Sequence, residues 1–320
     1  MRIGIDVMGG DFAPEQPVLG SILARNQLPK NIELVLIGDR NVIVPLLKRE
    51  KADESQFQII HCTEVIGMAE HPTKAIQQKS DSSISKGFQL LKEGKIDAFA
   101  SAGNTGAMLV GSMFSVKAIP GILRPAIASL LPKENGGWGL ILDVGVNADC
   151  KPEMLQQFAV LGSIYAQNIL NIPKPKVALM SIGEENEKGN FLVKETHQLL
   201  KDTPDINFTG NVEGRDLFND KADVVVCDGF TGNVILKEAE SFYAMIKKRS
   251  IKDSYFDRFD YEDYGGTPIL GINSTVIIAH GISKAKAIKN MILLSTNVVE
   301  AMLSEKIAAA FSKEVQSAKS

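Results

Sequence analysis

Two stretches of the chain share a pattern of small and polar residues that suits anion binding. Lys95-Ile96-Asp97 leads into an apolar run and then into Gly103-Asn104-Thr105-Gly106. Lys221-Ala222-Asp223 leads into another run and then into Gly229-Phe230-Thr231-Gly232, so Lys, Asp, Gly, Thr and Gly recur at one constant offset. Each copy reads as a buried parallel strand that delivers a glycine-rich turn to a helix N-terminus. Glycine there permits positive φ and close approach of a ligand, and the unpaired N–H groups of a first helical turn favour an anion. Taken singly, either copy also fits an ordinary βα loop with a helix-capping Thr. The matched pair favours phosphate binding at Gly103, Asn104, Thr105, Gly106, Gly229, Thr231 and Gly232. It predicts a cleft with anion-binding edges on both sides.

Further small polar residues cluster where strands should end. Gly4-Ile5-Asp6 runs into Gly9-Gly10-Asp11, and Asp143-Val144-Gly145 is followed by Asn147 and Lys151-Pro152. Ser181–Asn190 carries Gly183, Lys188 and Gly189; Tyr264-Gly265-Gly266 and His280-Gly281 come later. Asp and Asn in such turns usually serve backbone geometry. Asp6, Gly9, Gly10, Asp11, Asp143, Asn147 and His280 are therefore assigned to loop ordering or substrate contact. Lys188, Asn233 and Asn104 are the side chains suited to an attacking phosphate or a developing oxyanion. Lys188 also fits a solvated charge among Glu184, Glu185 and Glu187. His280 is either a general acid or a packed loop residue.

What is missing narrows the chemistry. There is no Gly-x-Gly-x-x-Gly, no P-loop and no Gly-x-Ser-x-Gly elbow, so neither a nucleotide cofactor nor a covalent intermediate is expected. Cys62, Cys150 and Cys227 are scattered, and the four histidines do not join them at ligand spacing. No disulfide framework or metal site is expected, and a reducing cytoplasm is the simplest setting. A net charge of −3 gives no global attraction to nucleic acid or anionic lipid. The opening residues Met1–Met8 read as a strand and not as a signal peptide, and no apolar run approaches the ~18 residues of a membrane span.

These residues need a frame. With 320 residues, 44% hydrophobic and 23% charged, the chain suits one large globular α/β unit. Flat apolar runs at Arg2–Val7, Glu33–Ile37, Phe57–Ile60, Asp97–Ala100, Ala126–Leu131, Gly139–Leu142, Lys176–Ser181, Asp223–Cys227 and Thr275–Ala279 predict strands buried on both faces. Amphipathic stretches such as Ser82–Lys92 lie between them. The order predicts a doubly wound, mostly parallel Rossmann-like sheet with ligands at the strand C-terminal edges. We expect a single domain over 1–320, with pseudo-repeated halves 1–170 and 171–320 joined near Asn171-Ile172-Pro173. The chain from Ser283 predicts a long helix, either packed in the core or against a second subunit. Residues 242–264 hold four of the five tyrosines and begin basic, with Lys247, Lys248, Arg249 and Lys252. A peripheral hairpin, a partner or subunit surface and an acyl-chain lining all fit that segment.

Taken in order, these stations resemble the acyl-ACP:phosphate acyltransferases of phospholipid synthesis (the PlsX family). The likeness is carried by Met8-Gly9-Gly10-Asp11, Ser101–Ala107, Asp143-Val144-Gly145 with Asn147 and Lys151-Pro152-Glu153, Glu184 through Asn190, Gly210-Asn211-Val212-Glu213, Asp228–Val234, Tyr264-Gly265-Gly266 and His280-Gly281. Asp228–Asn233 is also similar to the phosphotransacetylases. The resemblance implies a cytoplasmic homodimer that converts acyl-[acyl-carrier-protein] and orthophosphate reversibly to acyl phosphate and free carrier. It also implies a supply to phosphatidic acid synthesis through a membrane acylphosphate:glycerol-3-phosphate acyltransferase. The basic cluster Lys247, Lys248, Arg249 and Lys252 then becomes a landing site for the acidic acyl carrier protein; complementing a helix dipole is its other reading. Residues 234–263 are shorter than in many members, where an amphipathic membrane-facing hairpin stands, and Gly281-Ile282-Ser283 departs from the usual second small residue. Two other functions compete: a non-catalytic regulator that binds a phosphorylated metabolite, and an actin-like kinase suggested by Ile3-Gly4-Ile5-Asp6 before Gly9-Gly10.

Overall fold

The computed structural model describes residues 1–317, with side chains described through residue 312. Strands β1 (Arg2–Asp6), β2 (Glu33–Gly38), β3 (Phe57–His61) and β4 (Ala98–Ser101) alternate with helices α1 (Glu15–Arg25), α2 (Arg40–Arg49), α3 (Pro72–Gln78), α4 (Ser83–Lys92) and α5 (Thr105–Ser115). A hairpin of β5 (Ala126–Pro132) and β6 (Trp138–Leu142) follows. Next come α6 (Pro152–Asn168), β7 (Lys176–Met180), α7 (Phe191–Lys201), β8 (Asn207–Val212), β9 (Val224–Val226) and α8 (Gly229–Lys248). The chain closes with α9 (Tyr261–Tyr264), the hairpin β10 (Thr267–Leu270) and β11 (Thr275–Ile278), then α10 (Ala285–Glu300) and α11 (Leu303–Ser317).

These elements form two compact units. One holds Met1–Ala118 and Tyr261–Ser304; the other holds Ile119–Asp260 and the chain from Glu305. In the first unit the strand order is β3-β2-β1-β4-β11-β10, parallel except for β10 against β11. In the second it is β5-β6-β9-β7-β8, parallel except for β5 against β6. Thus β2-β1-β4-β11-β10 and β8-β7-β9-β6-β5 repeat one plan: four parallel strands and a terminal antiparallel one. The recurring Asp has a structural cause in that plan. Asp97 donates its N–H to the Arg2 carbonyl at 2.8 Å and accepts the Arg2 N–H on its carboxylate at 2.6 Å. Asp223 does the same with Lys176, at 2.8 Å in both directions. It also accepts from Lys133 Nζ at 2.5 Å, a buried ion pair that no sequence signal announced.

Flat apolar strands form where predicted because both faces are covered: Ile3, Ile5, Leu34, Leu36, Ala98 and Phe99 lose all solvent contact. Two strands escaped the sequence reading. β8 is half polar and carries Gly210 at φ +100°, and β10 opens Thr267-Pro268. The single long helix expected from Ser283 is instead two, broken where Met302 turns to φ +51°. Ile288, Met291, Leu303, Ile307 and Phe311 are buried, whereas Met302 is exposed. Helix α10 lies against α1 at Gly20, where a Cβ would come within 2.5 Å of Ile288 Cβ. β1 runs into α1 and pairs parallel with β2, so the antiparallel hairpin that an actin-like kinase requires is not formed.

This topology sorts the polar turns. In the first unit the adjacent parallel strands β1, β4 and β11 end at Gly9–Asp11, Gly103–Gly106 and His280–Gly281. In the second, β6, β9 and β7 end at Asp143–Asn147, Asp228–Asn233 and Ser181–Asn190. Each unit therefore gathers its three loops at one sheet edge, the position where doubly wound folds bind ligands.

Candidate active site

In the first unit, Asp6 and Ser101 knit the strand ends together. Ser101 Oγ donates to Asp6 at 2.6 Å and accepts the Gly103 N–H at 2.9 Å, while Asp6 also accepts the Met8 N–H at 2.9 Å. Burial pushes the Asp6 carboxyl above its ordinary range, against the pull of these hydrogen bonds. Gly9 must be glycine, because a Cβ there would lie 2.3 Å from Asp6 Oδ2 and 2.8 Å from the Gly103 nitrogen. Gly10 sits at φ +105°, and the Asp11 N–H donates to the Gly281 carbonyl at 2.8 Å. These residues order the loops. His280 is half-buried, its ring edge-on to Tyr261 with centroids 5.0 Å apart.

Asn104 builds the turn that follows. Its Oδ1 accepts the Ala107 N–H at 2.9 Å, capping α5. Its Nδ2 reaches the carbonyls of Gly67, Met68 and Glu70 at 3.1, 3.2 and 3.0 Å, binding the 62–71 loop to the turn. With both ends spent and the residue buried, Asn104 has no donor left for a substrate oxyanion. The N–H groups of Thr105 and Gly106 are different. Among the described residues neither has an acceptor, Thr105 is exposed, and the first turn of α5 contains no acidic side chain. The nearby Glu70 carboxylate is neutralised by Lys79 Nζ at 2.5 Å and holds the Gly67 N–H. A neutral cap on an open helix start leaves the positive end of the dipole for an anion.

The second copy of the motif is spent differently. Its cap is Asp228, whose carboxylate accepts both the N–H and the hydroxyl of Thr231 at 2.8 Å. Gly229 donates to the Asn147 carbonyl at 2.7 Å and Gly232 to the Asp228 carbonyl at 3.0 Å. A carboxylate at the helix start already answers the dipole, and Gly229, Thr231 and Gly232, expected from the sequence to bind phosphate, spend their N–H groups within the loop. Packed against Gly229 and Gly232 is the buried Asp143, which accepts from the N–H of Ile127 (3.0 Å), the N–H of Asn147 (2.6 Å) and Asn147 Nδ2 (2.9 Å). Burial raises its carboxyl above the ordinary range. The glycines here answer to packing: a Cβ on Gly232 would sit 2.0 Å from the Asp143 carbonyl oxygen, and one on Gly229 2.7 Å from Asp143 Oδ2. Gly232→Ala should therefore lower stability by about 1–3 kcal/mol, the usual range for overpacking, as read from denaturant unfolding. An unchanged midpoint would contradict this packing.

Asn233 and Lys188 both point to solvent. Asn233 lies in the first turns of α8 beside Gly145, where a Cβ would come within 3.3 Å of its Oδ1. Lys188 is exposed and has no ion pair among the described residues, and Glu184 engages Lys221 and Arg215. No hydrogen bond joins Lys188 to Asn233 or Asp143 among the described residues. Beneath the Lys188 loop is a relay that sequence reasoning missed. The Glu185 carbonyl accepts the Lys188 N–H at 3.0 Å and Asn211 Nδ2 at 2.9 Å. Asn211 Oδ1 is thus the acceptor toward buried His197 Nδ1, 2.9 Å away, which places the proton on Nδ1. Burial also pushes the thiols of Cys62 and Cys150 up to about 12, and that of Cys227 well above its ordinary value. None is a ready thiolate nucleophile.

A family model described as "Fatty acid synthesis protein" matches residues 1–306. A phosphate acyltransferase from Dictyoglomus turgidum is 44% identical, over 98% of this chain and 98% of that protein. A phosphate acyltransferase from Halothermothrix orenii is 45% identical, over 93% and 95%. The chain belongs to the phosphate acyltransferase family. As a member it is an acyltransferase. A phosphotransacetylase from Streptococcus pyogenes shares the fold, with a TM-score of 0.66 at 18% identity over 93% of this chain and 94% of that one. The doubly wound, mostly parallel α/β architecture read from the sequence is therefore the family's fold.

Proposed function

We propose that this enzyme moves the acyl group of acyl-[acyl-carrier-protein] onto orthophosphate, giving acyl phosphate and free carrier that feed phosphatidic acid synthesis. The observation that carries the reading is the start of α5: a neutral Asn104 cap with the Thr105 and Gly106 N–H groups open to an anion, in a phosphate acyltransferase. Orthophosphate bound there attacks the thioester carbonyl carbon. A C–O bond forms, the C–S bond breaks, and the sulfur leaves with the bonding pair and takes up, through solvent, the proton that the attacking hydrogen phosphate gives up. A thiol of ordinary pKa near ~8.5 is an adequate leaving group. The enzyme therefore has to position the partners and stabilise the oxyanion, tasks assigned to Lys188 and Asn233. Arsenate should replace phosphate and yield free fatty acid, because an acyl arsenate hydrolyses. Carrier release that ignores arsenate would count against an attacking oxyanion.

The carrier protein is the proposed donor, and Lys248, Arg249 and Lys252 its landing site. All three are exposed without ion pairs among the described residues. Lys247 leaves that set: it pairs with Asp260 at 2.9 Å and lies 4.9 Å over the Tyr243 ring. Charge reversal at Lys248 and Arg249 should lower carrier-dependent kcat/KM several-fold at low salt and flatten its salt dependence, since screening acts over ~10 Å at 0.1 M. Equal activity at low salt would move the carrier to another surface. The cytoplasmic homodimer and the hand-over to a membrane acylphosphate:glycerol-3-phosphate acyltransferase rest on the family resemblance alone.

A further inference from the structure

Beneath the Lys188 loop, helix α7 and strand β8 of the second unit meet at two buried polar side chains, His197 and Asn211. A bulge in β8 makes the meeting possible. Phe208 stands beside Val177 of β7 and Asn211 beside Leu179, so β8 carries one residue more than its neighbour over this stretch. The extra residue falls at Thr209-Gly210, where Gly210 takes φ +100°. In a regular strand, residues three apart point to opposite faces. The bulge turns Asn211 onto the face of Phe208. His197 is therefore gripped twice from one strand, by the Phe208 ring edge-on with centroids 5.1 Å apart and by Asn211 Oδ1, 2.9 Å from Nδ1.

His197 Nε2 has no partner among the described residues, so the polar contact of the ring is the one to Asn211. A buried imidazole with one end unpaired costs stability that an apolar ring of the same shape would not. What the bond supplies is the orientation of the Asn211 amide. With Oδ1 facing the Nδ1–H, Nδ2 faces the Glu185 carbonyl and donates to it at 2.9 Å. The same carbonyl accepts the Lys188 N–H at 3.0 Å. The stem of Lys188 lies over Gly183, where a Cβ would come within 2.8 Å of Lys188 Cγ. Two residues further on, Asn190 Oδ1 accepts the Val193 N–H at 2.9 Å and starts α7. The turn is thus held from beneath while the Lys188 side chain stays exposed.

We infer that Asn211 and His197 are positioning residues: through the Glu185 carbonyl they fix the turn that presents the Lys188 ammonium to the oxyanion. The inference deepens the acyl-transfer reading and rests on the role given there to Lys188. Both side chains are buried, so they act through Lys188 and not on the substrate. Misplacing a catalytic group by about 1 Å can cost ~10²-fold in rate.

Asn211→Leu, of similar volume, removes both bonds. It should lower kcat about 10–100-fold while the carrier KM moves less than about twofold. Added to Lys188→Ala, the same change should alter kcat by less than about twofold, as for residues that act as one unit. His197→Asn, whose amide nitrogen can stand where Nδ1 stood, should keep most of the rate. His197→Phe keeps the ring and loses the donor; it should behave as Asn211→Leu does, and replaces that variant if it does not fold. Positioning also has a readout apart from activity. Native-state tryptic cleavage after Lys188 should quicken about tenfold in Asn211→Leu and His197→Phe, with cleavage after Lys30 in the first unit unchanged. A full Asn211→Leu loss on top of Lys188→Ala, or equal rates in His197→Asn and His197→Phe, leaves both residues a structural role alone and overturns the inference. So does cleavage after Lys188 at the unaltered rate. If Lys188→Ala by itself keeps its turnover, the role given to Lys188 falls, and tryptic cleavage alone then judges whether the relay holds the turn.

Discussion

Lys188→Ala and Asn233→Ala should each lower turnover by about 10²–10³-fold, the usual loss for one oxyanion donor, while the KM for the carrier changes little. Both side chains are exposed and neither supports a neighbour: no ion pair holds Lys188 and no hydrogen bond holds Asn233 among the described residues. Their removal should therefore leave stability within ~0.5 kcal/mol, as for surface substitutions generally, so a rate loss reports chemistry and not folding. Lys188→Arg should keep part of the rate because the charge remains. Steady-state kinetics at saturating phosphate and carrier decides. Near-normal turnover in both alanine variants would remove these residues from the mechanism.

Thr105→Pro should raise the phosphate KM by about 10–100-fold with no loss of stability. Proline is well tolerated at the first helical position, where its missing N–H had no intrahelical partner. The open N–H is deleted together with the exposed Thr105 hydroxyl, and a hydrogen bond to a charged group contributes about 1.5–3 kcal/mol; Thr105→Val, which keeps the N–H, separates the two. Asn104 makes a poor probe by comparison. Its removal costs the cap, about 1 kcal/mol, and strands the Gly67, Met68 and Glu70 carbonyls, so the fold would not be left intact. Initial rates across a phosphate series, with a thermal melt on the same sample, separate the two effects. A Thr105→Pro enzyme with unchanged phosphate dependence would place the anion elsewhere.

The contrast between the two glycine turns shows what sequence could and could not carry. The repeat itself was legible, because Asp97 and Asp223 pin equivalent strands in the same way. Its meaning was not uniform. Where the first copy reads Ala102-Gly103-Asn104, the second reads Asp228-Gly229-Phe230, and the cap moves back to Asp228. That shift consumes the N–H groups that remain open in the first copy. It turns on which side chain reaches which N–H, a question of local geometry that residue spacing leaves undecided. The buried strands were readable from their flat apolar runs, whereas β8 was not, with its polar residues and positive-φ Gly210. His197 carried no signal, since its partner Asn211 lies on a different element. The basic cluster read as one patch, yet Lys247 turns to Asp260, a pairing made only after the chain doubles back.

In the proposed reaction orthophosphate, and not water or an enzyme side chain, attacks the thioester. Hexadecanoyl carrier protein incubated with the enzyme and ¹⁸O-labelled orthophosphate tests it, with carrier thiol and hydroxylamine-trappable acyl phosphate measured together. One acyl phosphate should form for each thiol released, with labelled oxygen bridging carbon and phosphorus, and no thiol should appear without phosphate. Thiol release that continues without phosphate, leaving free fatty acid as the product, would contradict it.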